Sequence, residues 1–267
     1  MKKPSKQALI LESIIQAYLK SKMPIGSSEL QMKMTLGISP STIRIYFKKL
    51  SEEGSLVQLH VSSGRVPTHR ALQGYWQERI DTSLPVEIKN IEKLRRSTNE
   101  HQLFCVVERS SEAIFKEIVA VQDRFLILVF DAHEVALKYN TKVEQFLQRL
   151  IGCTMRELKD ISVQVGLYEL HEKLSMIFQQ SPLLREGEKE MYAIAQEFQT
   201  DAFIERFRRL HFLESIEDGL YFDGFIPFGC MAVKQKVQLK DQNAMADMLC
   251  FGRIESDFED FFNQVKE

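Results

Sequence analysis

No run of about eighteen consecutive apolar residues occurs in the chain, so no transmembrane span is expected. The start, MKKPSKQALILESIIQAYLK, has the basic-then-apolar outline of a signal peptide. Glu12, Ser13, Gln16 and Lys20 interrupt it, however, and no small-residue cleavage site follows, so it reads as an amphipathic helix. The four cysteines (Cys105, Cys153, Cys230 and Cys250) form no CxxC pair and have no metal-ligand spacing. Scattered through apolar surroundings, they point to reduced core thiols in a cytoplasmic protein.

Catalytic signatures are missing as well. His133-Glu134 and His171-Glu172 are the metal candidates, but neither makes HExxH and no second histidine sits at helical spacing. Both read as ordinary surface or second-layer residues. Gly224 and Gly229 flank F-I-P-F, with Cys230 following, yet form no phosphate loop, and there is no G-x-S-x-G, paired-carboxylate or Cys/His constellation. The expectation is a protein with no catalytic residues, no cofactor and no metal.

What is present is a division of charge. The 267 residues carry a net charge of −2, with 44% hydrophobic and 27% charged residues. That is ordinary for a globular protein with room for two compact units. Residues 1–80 alone sum to +7, which leaves −9 for the remainder. A basic head on an acidic body is the footprint of polyanion binding, because Lys and Arg replace counterions condensed on phosphates.

The head also carries a motif. Leu9, Ile10, Ser13, Ile14, Ala17 and Tyr18 keep the spacing of a helix with one buried face, ending near Met23-Pro24. Pro24-Ile25-Gly26 is a turn, Ser27 or Ser28 caps a helix over Glu29–Met34, and Gly37 closes it. Ser39-Pro40 opens a third helix, with Ile43, Phe47 and Leu50 on its inner face and Gly54 at its end. This is a helix-turn-helix pattern, whose second helix reads the major groove with its early residues. Ser41, Thr42 and Arg44 are placed for that task, Lys48 and Lys49 add charge, and Ile45 and Tyr46 offer apolar or aromatic contacts. Leu56-Val57-Gln58-Leu59 then alternates like a strand and Val66 begins a second. Between them Ser62, Ser63 and Gly64 permit close approach to a phosphate backbone, and Arg65 supplies a cation at the tip of a wing. The expected DNA-contacting set is Ser27, Ser28, Ser39, Ser41, Thr42, Arg44, Ile45, Tyr46, Lys48, Lys49, Ser62, Ser63, Gly64 and Arg65.

At these residues the chain resembles the bacterial heat-inducible transcription repressor family HrcA. The motifs that carry the resemblance are P-I-G-S (24–27), S-P-S-T-I-R (39–44), the helix end from Leu50 to Gly54, and H-V-S-S-G-R-V-P-T (60–68). Tyr75 fits the family's aromatic stretch after the wing. The family usually continues I-R with Asn and an acid, where this chain has Ile45 and Tyr46, and has Gly-Tyr where Ala71-Leu72 stand. The first departure falls on the reading helix, the second on packing.

Beyond residue 80 the expectation is a helical linker over 81–102, with a proline and the polar end S-T-N-E-H-Q. An α+β domain over 103–267 follows. Strands are expected at 103–107, 114–120, 125–131 (central, apolar on both sides) and 133–139. Helices follow at 143–150, 155–161, 167–178 and 188–213, strands again at 219–228 and 231–236, and a charged apolar mix over 251–265. The aromatic-rich 221–228 reads as core or dimer contact. By resemblance, notably over 115–137, this is a GAF-like domain with a helical dimerisation insert near 145–215. The overall expectation is thus α+β, with an N-terminal winged helix-turn-helix followed by that domain. The resemblance implies a dimeric repressor of heat-shock and chaperone genes that binds double-stranded DNA at an inverted-repeat, CIRCE-type operator. It further implies loss of binding on heat stress and a GroE-type chaperonin partner. The alternative is a metabolite-responsive winged-helix regulator whose GAF-like domain binds a small molecule. A fused biotin ligase would need a Gly/Arg-rich adenylate loop, which is not visible.

Overall fold

The computed structural model describes residues 5–34, 37–60, 63–109, 113–131, 133–178, 182–208, 212–240 and 244–266. The chain opens with α1 (Lys6–Ser21), α2 (Ser27–Lys33) and α3 (Pro40–Glu52), then β1 (Leu56–Val57), β2 (Val66–Pro67) and α4 (His69–Arg79). β3 (Val86–Ile88), α5 (Ile91–Glu100) and β4 (Phe104–Arg109) follow. Next come β5 (Phe115–Val121), β6 (Phe125–Phe130), β7 (Glu134–Lys138), α6 (Thr141–Gln148), α7 (Met155–Gln164) and α8 (Tyr168–Phe178). The rest is β8 (Leu184–Glu186), α9 (Glu188–Glu197), α10 (Ala202–Arg208), β9 (Gly219–Tyr221), β10 (Cys230–Leu239), β11 (Ala244–Arg253) and α11 (Phe258–Lys266). The described residues form an α+β fold.

The main sheet has the order β3-β10-β11-β4-β8, with β9 paired to the other half of β10. β3 runs parallel to β10 and the remaining pairs are antiparallel. Alternation sorts its side chains to two faces. Met231, Val233, Val237 and Leu239 of β10, Cys105 and Val107 of β4, and Met248 and Cys250 of β11 face one core, shared with α4 and α11. Phe104, Val106, Ala232, Leu249 and Phe251 face the other, closed by α9 and α10. That second face is filled by rings: Phe104 stacks on Phe207 at 5.6 Å, and Phe251 meets Phe203 and Phe207 at 5.2 Å each. Much of 221–228 joins it. Ile226 is buried in it and Tyr221 and Phe225 pack against it, whereas Phe222 is buried in the opposite core and Phe228 stands exposed.

Several expectations change here. Residues 81–102 hold more than a helical connection, because β3 adds a strand to the main sheet and Leu94 of α5 is fully buried in its core. The strands over 115–138 do not join that sheet. They form a three-stranded sheet, β5-β6-β7, whose inner face packs on α6, α7 and α8 in a core of its own. The separate unit between β4 and β8 is therefore built from residues 113–178, not 145–215, and α9 and α10 belong to the main sheet. β6 is central in its sheet but not buried on both sides: Leu126, Leu128 and Phe130 point inward, while Phe125 is 49% exposed. On that outer face Val119 lies opposite Ile127, Val121 opposite Phe125, and Ile127 opposite Ala136. The expected long helix over 188–213 breaks in two, because Gln199 takes φ 50° and the Thr200 amide bonds back to the Ala195 carbonyl at 3.0 Å, ending α9. The strand expected over 219–228 pairs only as far as Tyr221.

α1 belongs to two cores at once. Ile10, Ile14, Ala17 and Tyr18 pack with Ile25, Leu30, Ile43, Phe47 and Leu50 in the head, while Ile15 and Leu19 pack with Leu72 and Trp76 in the body core. Trp76, the sole tryptophan, is fully buried, and its indole N–H donates to the Ile254 carbonyl at 2.7 Å. Around it Tyr18 donates to Glu255 at 2.6 Å, Lys22 reaches the Glu255 carbonyl, and Arg79 bridges Glu12 and Glu259. Trp76→Ala should cost about 3–5 kcal/mol, by lost burial and the cavity left behind. Chemical denaturation checks this. In the wild type, the red shift of Trp76 emission should coincide with separation of head from body.

Candidate nucleic-acid interface

α3 is built to hold one face in and one face out. Ser39 caps it, its Oγ accepting from the Thr42 amide at 3.2 Å, and Pro40 occupies the first helical position, where a missing N–H costs nothing. Ile43, Phe47 and Leu50 fill the inner face. Ser41, Arg44, Ile45 and Lys48, at i, i+3, i+4 and i+7, form an outward stripe, and each is exposed. Lys49 is exposed beside it, its ammonium 5.8 Å from the Tyr46 ring. Lys48 makes only a 3.9 Å pair with Glu52, both well exposed, so its charge is free to exchange partners.

The predicted residues do not all share this surface. Thr42 is half-buried and its hydroxyl lies 2.9 Å from Ser39 Oγ, so it is partly engaged in the cap. Tyr46 is half-buried and packs against the head core. The Arg44 Nε donates to the Pro40 carbonyl at 3.3 Å, which leans the side chain toward the helix start. Neither Ser27 nor Ser28 caps α2. That helix begins at Ser27 with Gly26 at the cap position and no side-chain cap bond, leaving Ser28 exposed at its first turn.

The hairpin departs furthest from expectation. Ser62 lies outside the described residues. Ser63 closes a local turn, its Oγ accepting from the His60 amide at 3.0 Å and donating to the His60 carbonyl at 2.8 Å. Arg65 is not at the tip: it is half-buried at the paired base, where its backbone exchanges two 2.9 Å hydrogen bonds with Ile25. Gly64 is required by that pairing. A Cβ there would lie 2.4 Å from the Ile25 carbonyl carbon and 2.8 Å from the Gly26 nitrogen. Its small size serves the close approach of the chain to itself, and it locks the hairpin to the turn before α2.

Other features suggested by sequence have local explanations. The His171 ring nitrogens face the Lys159 carbonyl of α7 at 3.4 Å and Ser175 Oγ, one turn on in α8, at 3.3 Å. Among the described residues no cluster of three His, Cys, Asp or Glu is positioned for a metal. Burial pushes the Cys230 thiol up to about 12 and the Cys250 thiol well above its usual value, so both stay protonated. Sequence reading missed a buried ionic group, in which Lys234 contacts Asp218 at 2.6 Å and Asp247 at 2.5 Å. Burial disfavours the ammonium, but the two carboxylates outweigh it and hold its pKa above the usual lysine value. Beside Asp218, residues 77–83 line an open groove of about 550 Å³. No helix among the described residues is long and apolar enough to cross a membrane.

Comparison with known proteins adds the following. Residues 76–267 match the family model described as the HrcA C-terminal domain. The heat-inducible transcription repressor HrcA of Helicobacter pylori strain 26695 is 31% identical over 266 residues, spanning 98% of this chain and 95% of the relative. That of strain J99 is 29% identical, over 98% and 95%. A crystal structure of a hypothetical protein superposes with a TM-score of 0.52 at 18% identity, over 99% of this chain and 98% of that one, which is a likeness of fold.

Gly64→Ala should break the Ile25–Arg65 pairing at a cost of about 1–3 kcal/mol, the usual penalty for overpacking. Hydrogen exchange should show both amides losing protection while α3 keeps its own.

Proposed function

Because the chain belongs to the HrcA family of heat-inducible transcription repressors, we propose that it holds its operator with a winged helix-turn-helix made of α2, α3 and the β1–β2 hairpin. The protein is a transcription repressor, not an enzyme. The observation that carries the DNA-binding reading is the outward stripe of α3, where Ser41, Arg44, Ile45 and Lys48 stand exposed on a head with a surplus of positive charge. Arg44 and Ser41 are the base-reading side chains; Lys48, Lys49 and the hairpin backbone hold phosphates. Arg65 serves the wing's base, so its contribution is to shape the hairpin.

The same reading makes the repressor a homodimer on an inverted repeat of the CIRCE type, one head per half-site, so that protein and DNA share a two-fold axis. Support for the dimer comes from the outer face of β5–β6–β7, where Val119, Val121 and Phe125 are exposed together in cross-strand register. A second copy covering that face would bury it, and the units carrying it are tied to the heads through the body. Heat acts by loosening the body and separating the copies, which turns two coupled half-sites into two weak ones. A chaperonin of the GroE type that captures the opened form shifts the balance further.

Two measurements test this. Arg44→Ala should alter sequence preference by roughly 1–3 kcal/mol per base contact, whereas Lys48→Ala should weaken binding to all sequences and flatten the salt dependence by roughly one phosphate's worth. Titration of both variants against operator and scrambled duplexes separates the two roles. If neither variant differed from the wild type, α3 would not be the reading helix. Phe125→Glu should yield a monomer by sedimentation, with single half-site binding kept and full-operator binding reduced by about 10²–10⁴.

A further inference from the structure

Ile45 is 59% exposed, in the middle of the one helix face that is otherwise polar or basic. The head core does not need it, since Ile43, Phe47 and Leu50 already fill the inner face of α3. Isoleucine is also a poor choice for a solvent-facing helix position, because its branched Cβ loses rotamer freedom there. Its side chain neither donates nor accepts a hydrogen bond, so it cannot read most of the groups that base pairs present in the major groove. One group remains that it can read, the C5-methyl of thymine, the apolar feature of the major-groove edge. The occupant of this face is set by its surroundings: Arg44, Lys48 and Lys49 flank Ile45 and favour a polyanion over an apolar protein surface.

We propose that Ile45 packs against a thymine methyl in each operator half-site and makes the repressor select thymine there. This rests on the reading of α3 as the recognition helix. It adds a specificity-determining residue that works by apolar contact, beside the polar reading by Arg44. Thr42 and Tyr46, its neighbours on the helix, are half-buried, and the Tyr46 ring packs inward, so Ile45 is the apolar side chain that stands out from this face.

The test uses the full-length repressor and an operator selected from a random DNA pool. Each thymine is replaced in turn by deoxyuridine, which removes the methyl group and leaves every hydrogen-bonding atom in place. One position per half-site should show affinity falling about fourfold, the worth of one buried methyl-sized group. Ile45→Ala should bind the thymine and deoxyuridine operators equally, at about the level of wild type on deoxyuridine. Because residue 45 faces solvent, the variant should melt with the wild type, and a melting check keeps a folding defect from passing as a recognition defect. If the wild type ignored deoxyuridine at every position while Arg44→Ala still changed preference, the thymine contact would be wrong and the recognition helix would stand. If the sensitivity persisted undiminished in Ile45→Ala, another residue would read the methyl and the proposal would fall. If neither Arg44→Ala nor Ile45→Ala affected preference, the recognition-helix reading itself would fail.

Discussion

The hydrogen bond from the Trp76 indole to the Ile254 carbonyl lies where the head meets the body, and the core on one face of the main sheet closes over it. The ring is held edge-on by Tyr75 at 5.0 Å and by Phe258 at 5.8 Å, which brings α4 and α11 together. α1 then enters the same core through Ile15 and Leu19 while its opposite face carries the head. Polar groups surround the seam: Tyr75 donates to Glu259 at 3.2 Å, and burial pushes its hydroxyl up to about 12, so it stays a donor at neutral pH. The head is joined to the body by a packed seam as well as by the chain. The packing of α1 on both cores thus relates the direction of the α3 stripe to the body.

That constraint gives the surfaces their division of labour. The net charge is positive only over the first eighty residues, where acids are few, and the exposed part of α3 carries cations toward solvent. The large exposed apolar side chains of the β5–β6–β7 sheet lie in a different unit with its own core. Between them the main sheet is filled on both faces, one by Trp76 and its neighbours and the other by phenylalanine rings.

Sequence was most informative where local chemistry decides the structure. Ser39-Pro40 predicted the start of α3 because a cap and a first-turn proline act within four residues. It was least informative where pairing partners are distant. β11, a central strand of the main sheet, is spelled with Ala, Met and Cys and carries Asp247, residues with little intrinsic preference for a strand. Asp247 is tolerated there only because Lys234 and Lys236, on the neighbouring strand, neutralise it at 2.5 and 3.2 Å. In the candidate site, the types of residue on α3 were legible, but their distribution between cap, core and solvent was not. Gly64 and Arg65 looked like a loop tip because their true partner, Ile25, lies on the other side of α2 and α3.

If α3 is the recognition helix and the body sets its direction, α3 should occupy the same groove in every half-site of the intact repressor, and mapping its position on DNA tests this. Replacing Gly37, exposed just ahead of α3 with open space around a Cβ, by cysteine and attaching an iron chelate would cleave the DNA nearest the start of α3. Two sharp cleavage clusters in the major groove, symmetric about the operator centre, are expected, and none from the same chelate attached through Lys189→Cys on the exposed side of α9. Uniform cleavage along the duplex from position 37, or equal cleavage from position 189, would contradict it.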